Sequence, residues 1–319
     1  MPKLNQKNRK PAESLSLQVR DLDVLQSLFE SRLATREHLA QLHFGGSYEA
    51  AQNRLKKLKD GRLLKATPAG IGKPEILSLA LQGFDALKAH RRLERYPRFT
   101  RELFEDRKPL SPMTVEHELA VMNVKAAFVR EARTGWEDLA VREFVTWPLL
   151  YSFSAYVSHD STQLQEIKPD GFIELKVPQL QRFFLEVDRG SEKLDTILRK
   201  CHGYHHFYHS AGMAARYGVQ EPHEAPFRVI FSVESEARRN NIAEALVREG
   251  SILKLVWITT RAQIERDPFG EIYLTPRSYR EAVHGTAHEP SQVDSVDLRQ
   301  TRKGRDDLVR AKATLASLF

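Results

Sequence analysis

Cysteine is almost missing from this chain: its 319 residues include one, Cys201, so no intrachain disulfide framework can form. No apolar run approaches the roughly 20 residues needed to span a bilayer, and no transmembrane helix is expected. The opening MPKLNQKNRKPAE is basic but is followed by no apolar core, which argues against a secretory signal. Internal repeats are absent as well. These gaps leave a cytoplasmic protein of globular type as the expectation.

What is present is ordinary in amount and uneven in placement. Hydrophobic residues make up 41% and charged residues 29%, enough for two domains with tails. The net charge of +7 is concentrated at one end: residues 1–110 hold 22 Lys and Arg against 13 Asp and Glu, whereas residues 111–284 hold 21 against 24. A positive field in the first third attracts phosphate backbones whatever their sequence, so nucleic acid is the expected partner.

After a basic leader (residues 1–16), apolar Val19, Leu22, Leu25, Leu28 and Phe29 recur at helical spacing. Thr35 is placed to cap a second helix that Gly45-Gly46 closes, and Ser47 to cap a third, YEAAQNRLKKLKD, ended by Gly61. Two short apolar runs around a Pro/Gly-rich turn then predict a β-hairpin. Three helices and a hairpin with a basic third helix resemble a winged helix-turn-helix over residues 17–92. On that resemblance Asn53, Arg54, Lys56, Lys57, Lys59 and Arg62 are the candidate DNA contacts.

Residues 93–112 are charged and broken by proline, which predicts a linker. From Pro112 onward, Val115, Leu119, Met122, Ala126 and Val129 predict a helix that carries Glu116, His117 and Glu118 on its first turn; Glu118 is the candidate to reach a neighbouring site. Strands are predicted over residues 139–156, 167–175 and 181–188, then a helix from Ser191, a strand (RVIFSVES), a helix ended by Gly250, and a last strand (ILKLVWITT). Strands alternating with helices predict an α/β domain over residues 113–284, with one mixed sheet flanked by helices. The tail, residues 285–319, is polar and unpatterned apart from DDLVRAKATLASLF, which can form a short amphipathic helix.

The stretch KPDGFIEL…RFFLEVDRGSEKL…KCHGY brings Asp170, Glu186 and Asp188 toward one sheet edge. Carboxylates gathered by folding repel unless protons, cations or a metal compensate them, so the cluster is a candidate for divalent-metal chemistry. Pro-Asp followed by Glu-x-Asp, in this order of elements, resembles the PD-(D/E)XK restriction-endonuclease-like fold. The longer pattern behind a winged helix resembles the plasmid replication-relaxation family, which is related to MOBC-type mobilisation relaxases. The resemblance implies a metal-dependent endonuclease that nicks DNA with Mg²⁺ or Mn²⁺ held by Asp170 and Glu186, joined by Asp188 or by the helix-borne candidate Glu118, with plasmid transfer or replication proteins as further partners. It also implies a lysine where this chain has Asp188, so that role passes to Lys193 or Lys200 on the next helix. Without such a lysine the fold would serve as a non-catalytic DNA-binding platform.

Two other chemistries share that helix. Cys201, His205 and His209 lie on one helical stripe with zinc-ligand types but no evident fourth ligand. Tyr204 could serve as a nucleophile of the kind that ends covalently attached to DNA, yet the His-hydrophobic-His metal motif of such enzymes is missing.

Overall fold

The structure, a computed structural model, describes residues 15–284 apart from 69, 71, 98, 108–109, 135–138, 147–150, 159–161, 178 and 251–253, together with residues 296–297. The expected leader and tail therefore lie outside the described residues, except at 15–16 and 296–297. The chain divides into two compact units, residues 1–111 and 112–319.

In the first unit α1 (Val19–Ser31), β1 (Ala34–Thr35), α2 (Arg36–His43) and α3 (Tyr48–Asp60) are followed by β2 (Leu64–Thr67), β3 (Ile76–Leu79), α4 (Leu81–Ala89) and α5 (Arg101–Glu105). The expected caps form: Thr35 accepts from the His38 amide and Ser47 from the Ala50 amide. Strands β2 and β3 pair antiparallel from Leu64↔Leu79 to Thr67↔Ile76, and β1 adds to β3. This arrangement is compatible with a winged helix.

The segment expected as a linker instead completes this unit. Tyr96 and Phe99 pack edge-on against Phe29, and Phe104 stacks on Phe84. The Arg107 guanidinium lies 4.7–5.3 Å from the ring centres of Phe29, Phe99 and Phe104, and burial lowers its pKa to about 10. Aromatic residues spaced among the charges make the segment packable, which its composition alone conceals.

The second unit opens with α6 (Pro112–Ala132) and is built on a five-stranded mixed sheet, ordered β10-β9-β8-β7-β4. Its strands are β4 (Ala140–Val145), β7 (Gly171–Val177), β8 (Gln179–Asp188), β9 (Arg228–Val233) and β10 (Val256–Thr260). Strands β8, β9 and β10 run parallel, while β4 and β7 are antiparallel to their neighbours. The connections of the parallel strands are α7 (Leu194–His209), with the short α8 (Gly212–Arg216), and then α9 (Glu236–Glu249). After β10 come α10 (Arg261–Arg266), β11 (Glu271–Tyr273) and α11 (Pro276–His284), and β12 (Val296–Asp297) pairs with β11.

The strand expected over residues 167–175 is split. Gln165–Ile167 forms β6, which pairs with β5 (Phe153–Ala155) as a separate two-stranded ribbon, and the main-sheet strand starts only at Gly171. Pro169 lies in the break, where it has no amide hydrogen to give a ladder.

Alternation along β8 separates the two faces of the sheet. Phe183, Leu185 and Val187 enter one core with Val121, Val124 and Phe128 of α6; Phe184 enters the other with Ile197, Cys201 and Tyr204 of α7. Glu186 therefore shares its face with Phe184 and meets α7.

Candidate functional site

Asp170 ends the break before β7, and its backbone amide donates to the Leu185 carbonyl at 3.0 Å. This sets it across from Glu186 on β8. The next residue, Gly171, faces Leu185, and a Cβ there would lie 3.3 Å from a Phe144 ring carbon and from the Val145 carbonyl oxygen. The two antiparallel neighbours of β7 thus close tightly around the Pro-Asp-Gly turn.

Helix α7 is brought down onto the same edge by Gly203. A Cβ at this position would lie 2.9 Å from Ile167 on β6, so only glycine permits the approach without displacement. Lys200 and Tyr204, one turn apart and flanking Gly203, then both reach Glu186. Lys200 Nζ donates to Oε2 at 2.9 Å and the Tyr204 hydroxyl to Oε1 at 2.5 Å. A second carboxylate, Glu192, accepts from Lys200 Nζ at 2.7 Å.

Asp170 is held separately. Its Oδ2 accepts from the Val187 amide at 2.7 Å, and its Oδ1 meets His117 Nε2 at 2.9 Å. From the first turn of α6, His117 thus reaches Asp170, and the charge of its neighbour Glu118, the position expected from sequence, also raises the His117 pKa.

Electrostatics follow from burial. Glu186 is almost fully buried, and desolvation pushes its carboxyl up to about 7 against the pull of Lys200; the charge on Asp170 adds to the rise. Burial works against the Lys200 ammonium, yet Glu186, Asp170 and Glu192 together raise its pKa, so it stays charged at neutral pH. Burial and the charge on Glu186 hold the Tyr204 phenol protonated. The hydrogen bond to Asp170 raises His117 above the usual imidazole value.

Asp188 stands apart from this group. Its Oδ1 accepts from the Gly190 amide at 2.9 Å and its Oδ2 from Arg238 Nε at 2.6 Å, so one oxygen is committed to the start of the β8–α7 connection and the other to the first turn of α9. Lys193, the other candidate lysine, is the exposed N-cap residue of α7, and Lys200 is the lysine at Glu186. The zinc stripe does not assemble: Cys201 is fully buried in the core and burial raises its thiol pKa, which disfavours the thiolate a metal needs.

Among the described residues no three His, Cys, Asp or Glu side chains gather as a metal-holding group. Mg²⁺ and Mn²⁺ chemistry commonly needs only one or two carboxylates, with water and substrate phosphate oxygens completing the shell. Asp170 and Glu186 are hard oxygen donors on one edge, and the cationic Lys200 already offsets their charge. That donor set fits an ion shared with a phosphate.

In the first unit the DNA candidates separate by environment. Asn53, Lys56 and Lys57 are exposed on α3, and Arg62 is exposed beyond its end. Lys59 is paired with Glu75 at 2.9 Å. Arg54 departs from expectation: it donates through Nε to Asp21 at 2.7 Å, again to Asp21 through Nη2, and to the Ser16 carbonyl at 2.9 Å. Asp21 is fully buried, so this guanidinium is a core counter-ion. A cavity of about 110 Å³ beside α3 is lined by Arg36, Gln52, Lys56, Lys59 and Glu75 over Leu55 and Leu77. Tyr48, half exposed at the start of α3, accepts from Arg36 at 2.9 Å. Arg36 and Gln52 line the cavity although neither stands among the clustered lysines of α3, so the local charge pattern does not mark them.

The fold and site together define a two-unit α/β protein with a buried acid–lysine cluster at one sheet edge. The chain belongs to the replication-relaxation family, whose model matches residues 25–221. Membership points to a role in plasmid replication or mobilisation. No curated protein and no solved structure matches the chain. Among the described residues no helix is long and apolar enough to cross a membrane.

Proposed function

We propose that this chain is a DNA-binding protein of a plasmid or mobile element, acting in the cytoplasm, whose second unit is a PD-(D/E)XK endonuclease-like domain that nicks DNA by phosphodiester hydrolysis. The observation that carries the reading is Lys200 Nζ at 2.9 Å from Glu186, a lysine delivered from the next helix to acids whose own motif lysine is replaced by Asp188. The winged-helix-like unit supplies double-stranded DNA binding through Lys56, Lys57 and neighbouring exposed groups. Plasmid transfer or replication proteins are the further partners.

Asp170 and Glu186 are the residues that would hold Mg²⁺ or Mn²⁺. Bound there, the ion would polarise the scissile phosphate and lower the pKa of an attacking water. The remaining work falls to side chains. Lys200, protonated at neutral pH, offsets negative charge developing on the phosphate and donates a hydrogen bond to it or to the water. Tyr204 fixes the orientation of Glu186 through its hydroxyl, and His117 fixes Asp170. A phenol buried and committed to Glu186 is a poor nucleophile, which supports hydrolysis over a covalent tyrosyl intermediate.

A second reading is favoured by one observation: every carboxylate oxygen of Asp170 and Glu186 already has a partner within the chain. Such a satisfied cluster could serve as a non-catalytic platform for DNA. Supercoiled plasmid incubated with Mg²⁺ or Mn²⁺ and either wild type, Asp170→Ala or Glu186→Ala separates the two readings. Conversion to open circles by wild type alone supports the nuclease; equal conversion, or none, by all three leaves the platform.

A further inference from the structure

We propose that Arg238 is a positioning residue for Lys200, acting through Asp188 and Glu192. The contacts form a continuous path. Arg238 Nε donates to Asp188 Oδ2 at 2.6 Å, and its Nη2 donates to the Glu192 carbonyl oxygen. Asp188 Oδ1 accepts from the Gly190 amide, so the connection between β8 and α7 is held at both Gly190 and Glu192. The Glu192 carboxylate then takes Lys200 Nζ at 2.7 Å, opposite Glu186.

Two features argue that this path is built for the lysine. First, Arg238 occupies the first turn of α9, where its own amide donates to the Ser235 cap. A cation there faces the positive end of the helix dipole and is misplaced unless an anion compensates it. Asp188, 1% exposed in its side chain, is that anion. Second, a lysine on a strand beside Glu186 would be fixed by the strand, whereas Lys200 carries its ammonium on a flexible four-carbon stem from a separate helix. Two carboxylates on independently anchored elements remove that freedom, and the anchoring of one of them is the work of Arg238. The residue in the motif's lysine slot has thus kept an indirect part in placing the lysine that substitutes for it.

The inference rests on the nuclease reading for its effect on rate, but not for its effect on Lys200 itself. The test uses the full chain as wild type, Arg238→Gln, Arg238→Lys and Glu192→Gln. A short pulse of acetic anhydride followed by mass spectrometry measures acetylation of Lys200 relative to Lys176, an exposed lysine near the far end of β7. Single-turnover nicking with Mn²⁺ and affinity for the same plasmid DNA are measured in parallel. Arg238→Gln is expected to raise the Lys200 to Lys176 ratio several-fold and to slow nicking by about tenfold to a hundredfold, with DNA affinity unchanged. Arg238→Lys can keep the pair with Asp188 but not also the bond to the Glu192 carbonyl, so it is expected to fall between wild type and Arg238→Gln. Glu192→Gln, which leaves Arg238 and Asp188 intact, is expected to raise the ratio too, and it serves if the Arg238 variants do not fold. An unchanged ratio in the folded variants overturns the proposal. A raised ratio with no nicking by wild type upholds the positioning path and removes the nuclease reading.

Discussion

His117 meets Asp170 across 53 residues of chain, Nε2 to Oδ1 at 2.9 Å, and this contact ties the first helix of the second unit to the turn before β7. Hydrogen bonding to the carboxylate raises the imidazole above its usual pKa. A histidine whose folded-state pKa is raised stabilises the fold below its unfolded pKa, and that contribution is lost as pH climbs through the folded-state value. NMR titration of His117 is therefore expected to show a midpoint above that of an unpaired histidine. Asp170→Asn should bring the midpoint down; an unmoved midpoint would show that the contact does not persist in solution.

Tyr204 is expected to matter as a donor and not as a nucleophile. Tyr204→Phe keeps a ring among Phe153, Phe184 and Phe227 but leaves one oxygen of buried Glu186 without its partner. A loss of about 1–3 kcal/mol in urea unfolding is expected, as for other buried groups deprived of a hydrogen bond. Nicking should persist, and no protein–DNA adduct should appear on denaturing gels for wild type. A covalent adduct that disappears in Tyr204→Phe would reverse this assignment.

On α3, Arg54 and Lys56 lie two positions apart and are expected to behave oppositely. Arg54→Ala strands the fully buried Asp21 and should destabilise the first unit by about 3–5 kcal/mol, the range for breaking a buried ion pair. Lys56→Ala should leave thermal stability unchanged while lowering duplex affinity and reducing the salt dependence of binding by about one phosphate contact. Calorimetry and salt-titrated fluorescence anisotropy check the two halves. Equal thermal stability for the two variants would contradict the division.

Much of the fold was legible because it is set by local chemistry. Thr35 and Ser47 announce helix starts because their side-chain oxygens satisfy amides three residues on. The apolar period of α7 and the parallel strands that follow it were equally readable. Tertiary partners decided the remainder. His117 and Glu118 differ by one position, and only the azimuth at which α6 crosses the sheet edge puts the histidine on Asp170. Arg54 reads as one more cation on a basic helix until Asp21, 33 residues earlier, claims it. The aromatic residues of 96–104 looked like a linker's because their packing partners, Phe29 and Phe84, lie far back in the chain. In the site, Asp170 and Glu186 could be nominated from the strand pattern, and Lys200, beside Lys193, from the family resemblance. Arg238 could not, since nothing near it in sequence points to Asp188.

The central claim is that Lys200 supplies what Asp188 cannot. Its most direct measurement is the single-turnover rate of supercoiled-plasmid nicking with Mn²⁺ for Lys200→Met beside Lys193→Met. Loss of one preorganised donor in a water-poor site predicts a fall of about 100-fold or more for Lys200→Met, with DNA affinity retained and Lys193→Met close to wild type. Nicking by Lys200→Met at the wild-type rate, or an equal loss in both variants, would contradict it.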